Sequence, residues 1–273
     1  MPTFDTPGPI SVRIEVGAGS IRLVATDRTD TVVEVRPRDE TRGPDVWVAE
    51  HTRVDYRDGK LFVSGPKRGL PLFRGGAIDL EIALPSGSRL NAALASSDLR
   101  AEGEFADVKS ASSSGTVEVD VVTGKIKATN ASGSLIVHSA AGKVSATTAS
   151  GTVSIGDVDG DLKFQAASGA LVVDTLRGDV KARTASGSVT VAAAVCGQVT
   201  AQTSSGEIAI GVVEGTAVRL DIFTRAGVVS NRLQTADGPE QGDQTLVLQV
   251  RSSSGNVEIH RANPAHQTAV PAT

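Results

Sequence analysis

Residues 128–151 read ATNASGSLIVHSAAGKVSATTASG. The Ala-Ser-Gly that ends at Gly133 returns at Gly151, and a lone glycine, Gly142, falls midway. Followed along the chain, Ser-Gly pairs end at Gly115, Gly133, Gly151, Gly169 and Gly187, a constant interval of 18 residues. Gly206 follows after 19 more and Ala226-Gly227 after a further 21. Counting back 18 from Gly115 reaches Ser97, where the apolar pattern persists without the glycine. Gly124, Gly142, Gly160 and Gly178 bisect the first set, so the elementary unit is nine residues, doubled. Self-similarity at a fixed period marks a repeat architecture.

With each glycine counted as position one, apolar residues fill positions three, five and eight, as in Val153, Ile155 and Val158 or Leu171, Val173 and Leu176. The second half repeats these offsets with smaller side chains, as in Val180, Ala182 and Ala185. Short alternating runs rich in Val and Thr predict strands with one face inward, and helix is disfavoured by a glycine in every half-coil. The fold class predicted is all-β: a parallel β-solenoid of 18-residue coils, each of two nine-residue halves, with β-rich N- and C-terminal caps. Slots that recur every nine residues, rather than every six, describe a flattened, two-faced coil. Ser and Gly then stack at one corner, with Gly supplying the bend and the Ser hydroxyl bonding local backbone.

The flanks follow other rules. Residues 1–96 are expected to form a β-rich cap with the first strands of the solenoid, 97–226 the repeats, 227–262 a C-terminal β cap and 263–273 a disordered tail. Within the first segment, ISVRIEV and SIRLVATD read as strands around the turn GAG, and GKLFVSG and AIDLEIALPSG as two more. Residues 43–56 suit a short helix after Pro44, or an edge strand with Trp47 capping the core. The loop 66–76, PKRGLPLFRGG, protrudes, and TLVLQVRSSSGNVEIHRA looks like a final hairpin.

Composition narrows the function. Six Phe, one Trp and one Tyr leave the core to aliphatic residues, and a formal charge of −4 without long runs gives no case for nucleic acid. One cysteine excludes an intramolecular disulfide framework. The N-terminus MPTFDTPGPI lacks the basic and apolar regions of a signal peptide, and no run approaches the roughly 20 apolar residues of a membrane helix, so a cytoplasmic location is expected.

Candidate chemistry is sparse. His51, His138, His260 and His266 show no metal spacing. Stacking should align Asp161 with Asp179 and Lys163 with Lys181, beside Arg183; this is the best place for an acid–base pair, and equally a solvated charged row. GDVDGD, 156–161, spaces three Asp like a calcium loop but lacks its Gly and terminal Glu. Cys196 reads as the extra residue of the 19-residue coil, pushed into a turn. No catalytic residue, cofactor or metal is expected. The loop 66–76 stands apart: Leu70, Leu72 and Phe73 lie among Lys67, Arg68 and Arg74, so Leu70, Leu72, Phe73 and Arg74 are candidates for contact with a partner protein or an anionic membrane. The same loop could instead fold back over the first coil.

The blocks ISVRIEVGAGSIRLVATDRTDTVVEVRP, IDLEIALPSGSRL, the tandem ASGxVxV coils and VRSSSGNVEIHRA, in that order, resemble the DUF4097 family of bacterial β-strand-repeat proteins, often labelled adhesins, and most of all its leaderless actinobacterial members. The resemblance spans roughly residues 4–262 and implies a β-solenoid without transferable catalytic residues. The function expected is a non-enzymatic scaffold or protein-interaction module, adhesin-like, whose partner is another protein, with membrane contact only through the loop 66–76. The alternative is a carbohydrate-binding or carbohydrate-cleaving β-helix, which the scarcity of Trp and Tyr opposes. End-to-end polymerisation is a third reading, opposed by the long, dissimilar caps.

Overall fold

The computed structural model describes residues 1–66, 75–234 and 244–263. The chain divides into two compact units, Met1–Val137 and His138–Thr273. Each is a parallel β-solenoid, built as the nine-residue rhythm requires.

In the second unit the strand Val153–Asp159 pairs with Leu171–Arg177, and Leu162–Ala166 with Val180–Thr184, each residue beside the one 18 later. Alternation puts one row of side chains inside and the next outside. On one face the inward rows run Val153, Leu171, Val189, Ile208 and Ile155, Val173, Val191, Ile210. On the other they run Leu162, Val180, Val199 and Phe164, Ala182, Ala201, all of them buried. Coil 188–206 is longer by one residue, and the register slips between Leu176 and Arg177 so that Arg177 faces Cys196 while Val195 bulges. The extra residue is therefore Val195, not Cys196, which stays in the ladder, half-buried. The Thr216 hydroxyl donates to the bulged Val195 carbonyl (2.8 Å), which the parallel ladder would otherwise leave without a donor.

The corner differs from expectation in both its residues. The hydroxyl that bonds local backbone belongs to the residue three before each glycine: the N–H groups of Gly151, Gly187, Gly206 and Gly255 donate to Thr148, Thr184, Thr203 and Ser252 at 2.8–2.9 Å. The Ser of the Ser-Gly pair is exposed instead, as at Ser150, Ser168, Ser186 and Ser205. Nor is a special dihedral the reason for the glycine at Gly187 or Gly206. A Cβ at Gly187 would overlap the carbonyl oxygen of Gly169, and one at Gly206 that of Gly187. Stacked coils approach too closely there for any side chain. Two of the bisecting glycines meet both demands, since Gly160 and Gly178 also have φ of +144° and +136°.

The coil that ends at Gly169 does not follow this corner pattern. Ala166 stands in register between Thr148 and Thr184 and offers Gly169 no hydroxyl. Ala166→Thr is expected to add the missing acceptor and stabilise the protein by about 0.5–1 kcal/mol, read as a higher urea midpoint at unchanged slope.

Both units end in a way the order of coils in the chain does not follow. In the first, strand Ser11–Thr26 lies between two others: its first half pairs in parallel with Lys60–Ser64 on one side and with Arg89–Ala93 on the other. Its second half pairs with Ile78–Pro85 and with Ser97–Glu102. The first coil in sequence is thus the second in space, and GAG is no turn but a bend at Gly19 within one continuous strand. The second unit mirrors this. Gln244–Ser252 and Val257–Arg261 are not a hairpin; they form a parallel coil inserted between 197–212 and 216–231. Hence the last described coil is internal and Thr216–Thr224 with Val229–Asn231 is outermost.

The outer coil of the first unit is closed over. Asp30–Pro37 pairs antiparallel with Ile78–Pro85, and Thr3–Asp5 with Asp30–Val32. On the other face Arg53–Arg57 pairs antiparallel with Lys60–Ser64. Phe4 and Tyr56, inward residues of these two edge strands, meet at a ring distance of 5.2 Å and close the end of the core. Both readings of 43–56 hold in part: Gly43–His51 is a helix and Arg53–Arg57 an edge strand. Trp47 is half-buried and stacks on His51 at 4.3 Å.

Candidate functional site

Of the residues singled out for acid–base work, Lys163 and Lys181 are aligned as expected, and Asp179 is put to structural use. Lys163 faces Lys181, and Gln165 faces Arg183. The Asp179 carboxylate accepts the Gln198 N–H at 2.9 Å, one coil on. Asp98 and Asp107 accept the N–H groups of Thr116 (2.8 Å) and Lys125 (2.9 Å) in the same manner. These carboxylates cap the backbone of the next coil, and Lys163 and Lys181 set two like charges side by side. In GDVDGD, Asp157 stands beside Thr175 and Asp159 beside Arg177. Among the described residues no three His, Cys, Asp or Glu gather as metal ligands would.

The outer face of the first unit carries the densest charge. Arg22 grips Glu102 with two hydrogen bonds, Nε to Oε1 at 3.2 Å and Nη2 to Oε2 at 3.0 Å, and Arg100 adds a contact at 3.1 Å. The bond from Arg22 holds the Glu102 carboxyl below its ordinary range despite partial desolvation, and reciprocally raises the guanidinium. Glu81 and Glu118 lie in the same rows, opposite Arg22 and Arg100. This network sets unlike charges side by side and leaves a mixed, water-facing surface.

Leu70, Leu72, Phe73 and Arg74 lie outside the described residues, and so do Lys67 and Arg68. The stems of the loop 66–76 are described, and both are anchored. Gly65 N–H donates to the Glu15 carbonyl at 2.9 Å. Ala77 N–H donates to the Asp45 carboxylate at 3.1 Å. Asp45 is buried in the first turn of the helix and is held by Arg42 at 3.3 Å. Gly76 passes so close to the helix that a Cβ would overlap the Pro44 carbonyl. Asp45 was not singled out from the sequence. Its position directly after Pro44 was the available signal, because an acid in the first helical turn can also reach a neighbouring backbone N–H. A second feature, Phe62, is visible only in the fold: it lies on the outer row between Arg13 and Asp55, 40% exposed, on the strand that leads into the loop.

Coils at an 18-residue register with glycine-tight corners define a β-solenoid. The chain belongs to the Toastrack DUF4097 family, whose model matches residues 11–260. No curated protein matches it. Among solved structures, it is similar to a "putative lipid binding protein" of Parabacteroides distasonis at 13% identity, covering 96% of each chain with a TM-score of 0.45. A "putative adhesin" of the same organism matches at 13% identity over 94% of this chain and 95% of that one, TM-score 0.40. A "putative adhesin" of Bacteroides fragilis matches at 14% identity over 94% and 95%, TM-score 0.37.

Proposed function

We propose that this Toastrack domain is a non-catalytic binding scaffold whose partner is another protein, engaged by the segment 66–76. The observation that carries the reading is the pair of anchored stems beside exposed Phe62. Two hydrogen bonds and the buried Asp45 fix where the segment leaves and re-enters the solenoid, although nothing in strand pairing needs so long a connection. The sequence of the segment sets Leu70, Leu72 and Phe73 among three basic residues, the composition of a protein-binding patch. Unlike charges elsewhere on the outer face are paired, as at Arg22 and Glu102, which suits a scaffold.

The test compares the full chain with its Leu72→Ser/Phe73→Ser variant, each purified by affinity tag from the native host. A protein recovered in fixed proportion with the parent and lost from the variant, at an unchanged melting temperature, is expected. Retention of that protein would refute the assignment of the contact. A clearly lowered melting temperature would show that the segment covers the first coil. Binding of the parent to anionic vesicles, without a protein partner, would replace protein by membrane.

A further inference from the structure

The two units finish their outermost coils differently. In the first, Phe4, Tyr56 and two antiparallel strands cover the end of the core. In the second, the strand Thr216–Thr224 pairs with Gln244–Ser252 on one side, and among the described residues no strand lies on its other side. Its inward residues Val218, Leu220 and Ile222 stack on Leu246, Leu248 and Val250. The latter three are completely buried, whereas the former are only half-buried. Val229 also points inward, opposite Val257, yet is 43% exposed. An open row of N–H and C=O groups beside an uncovered apolar core is a template for strand addition.

We propose that this edge pairs, antiparallel and in register about Leu220, with the same strand of a second copy of the chain. The sequence TAVRLDIFT is complementary to itself in that arrangement. Arg219 falls opposite Asp221 of the second copy, twice by symmetry, and both are exposed on the outer row. Val218 falls opposite Ile222, Leu220 opposite Leu220 and Thr216 opposite Thr224, so the apolar inner row continues from one copy into the other. Opposed unlike charges and matched β-branched side chains are the pairs that stabilise antiparallel strands. The edge strands of the first unit lack this property: pairing Arg53–Arg57 with itself about Asp55 sets Arg53 against Arg57 and Asp55 against Asp55, and pairing Thr3–Asp5 with itself about Phe4 sets Asp5 against uncharged Thr3. Self-association therefore stops at a closed, two-fold dimer and does not propagate. This inference is independent of what the segment 66–76 binds.

Sedimentation equilibrium of the full chain over a wide concentration range should show a monomer–dimer equilibrium. Arg219→Asp leaves only acidic residues at the two facing positions, and Asp221→Arg only basic ones, so each variant alone opposes like charges twice. Each is expected to dimerise about tenfold or more weakly than the parent. An equal mixture of the two variants restores opposed unlike charges and should dimerise as the parent does. Unchanged melting of the Arg219→Asp monomer shows that the fold is intact; Asp221→Arg also loses the 3.5 Å contact with Arg251, so its own melting is compared too. A parent that stays monomeric overturns the proposal, as does a dimer indifferent to both changes, or weakening by each without rescue on mixing. The Leu72→Ser/Phe73→Ser variant should dimerise normally, which separates failure here from failure of the proposed partner site.

Discussion

Gly187→Ala is expected to destabilise the protein by about 3 kcal/mol or more, at the severe end for a single methyl group. Gly187 lies outside the left-handed region, so the loss does not come from a positive φ. It is steric and falls on backbone: the new methyl would overlap the Gly169 carbonyl, while Gly206 is already pressed against the carbonyl of Gly187 itself. Neither neighbour is a side chain that could swing away. Accommodation requires parting two coils at a corner, which stretches ladder bonds on both adjoining strands. At this size the melting temperature should fall by roughly 6–12 °C. Gly17→Ala is the control, since a Cβ there meets nothing within 4 Å, and a change of less than about 0.5 kcal/mol is expected. Equal melting of the two variants would show that the corners are not closely stacked.

Phe164→Ala should cost about 3–5 kcal/mol, measured as a lower urea midpoint. Phe164 is fully buried, in an inward row where its two neighbours are Ala146 and Ala182, with Ala201 next beyond. One ring therefore fills space to which its stacked neighbours contribute only methyl groups. No adjacent side chain in the row is long enough to collapse into the void, so the cavity term should be felt in full. Phe164→Leu, which retains most of the volume, should lose well under half as much. A small effect of Phe164→Ala would mean that the two faces of the coil close up more freely than a hydrogen-bonded solenoid allows.

What the sequence disclosed and what it withheld divide along a physical line. Periodicity reports which residues share a row, and it placed Val153, Leu171 and Val189 on one, as the register shows. It cannot report which coil lies next to which. RSSSGNVEI, 251–259, carries the same signal as ASGTVSI, 149–155, wherever in the stack it sits. The position is decided by the connections before it, and these carry no period. That is why a hairpin was expected where a coil is inserted, and why GAG looked like a turn. The Thr at the corner was in plain view in TASG and TSSG, but Ser and Thr hydroxyls reach similar backbone groups, and only geometry separates the buried acceptor from the exposed ladder. The candidate site was legible only as composition. The anchoring of Ala77 by Asp45 spans 32 residues and has no local signature.

The placement of the first and last coils has a mechanical consequence. A solenoid whose chain ends lie in its end coils ravels like knitting: tension on a terminus frees one rung, then the next, each held by a single ladder. Here tension on the N-terminus, once Thr3–Asp5 has come away, reaches a coil clasped by ladders on both sides, and so does tension from the C-terminal side. An unfoldase or protease that threads the chain from either terminus must therefore shear two ladders at once before it gains its first coil.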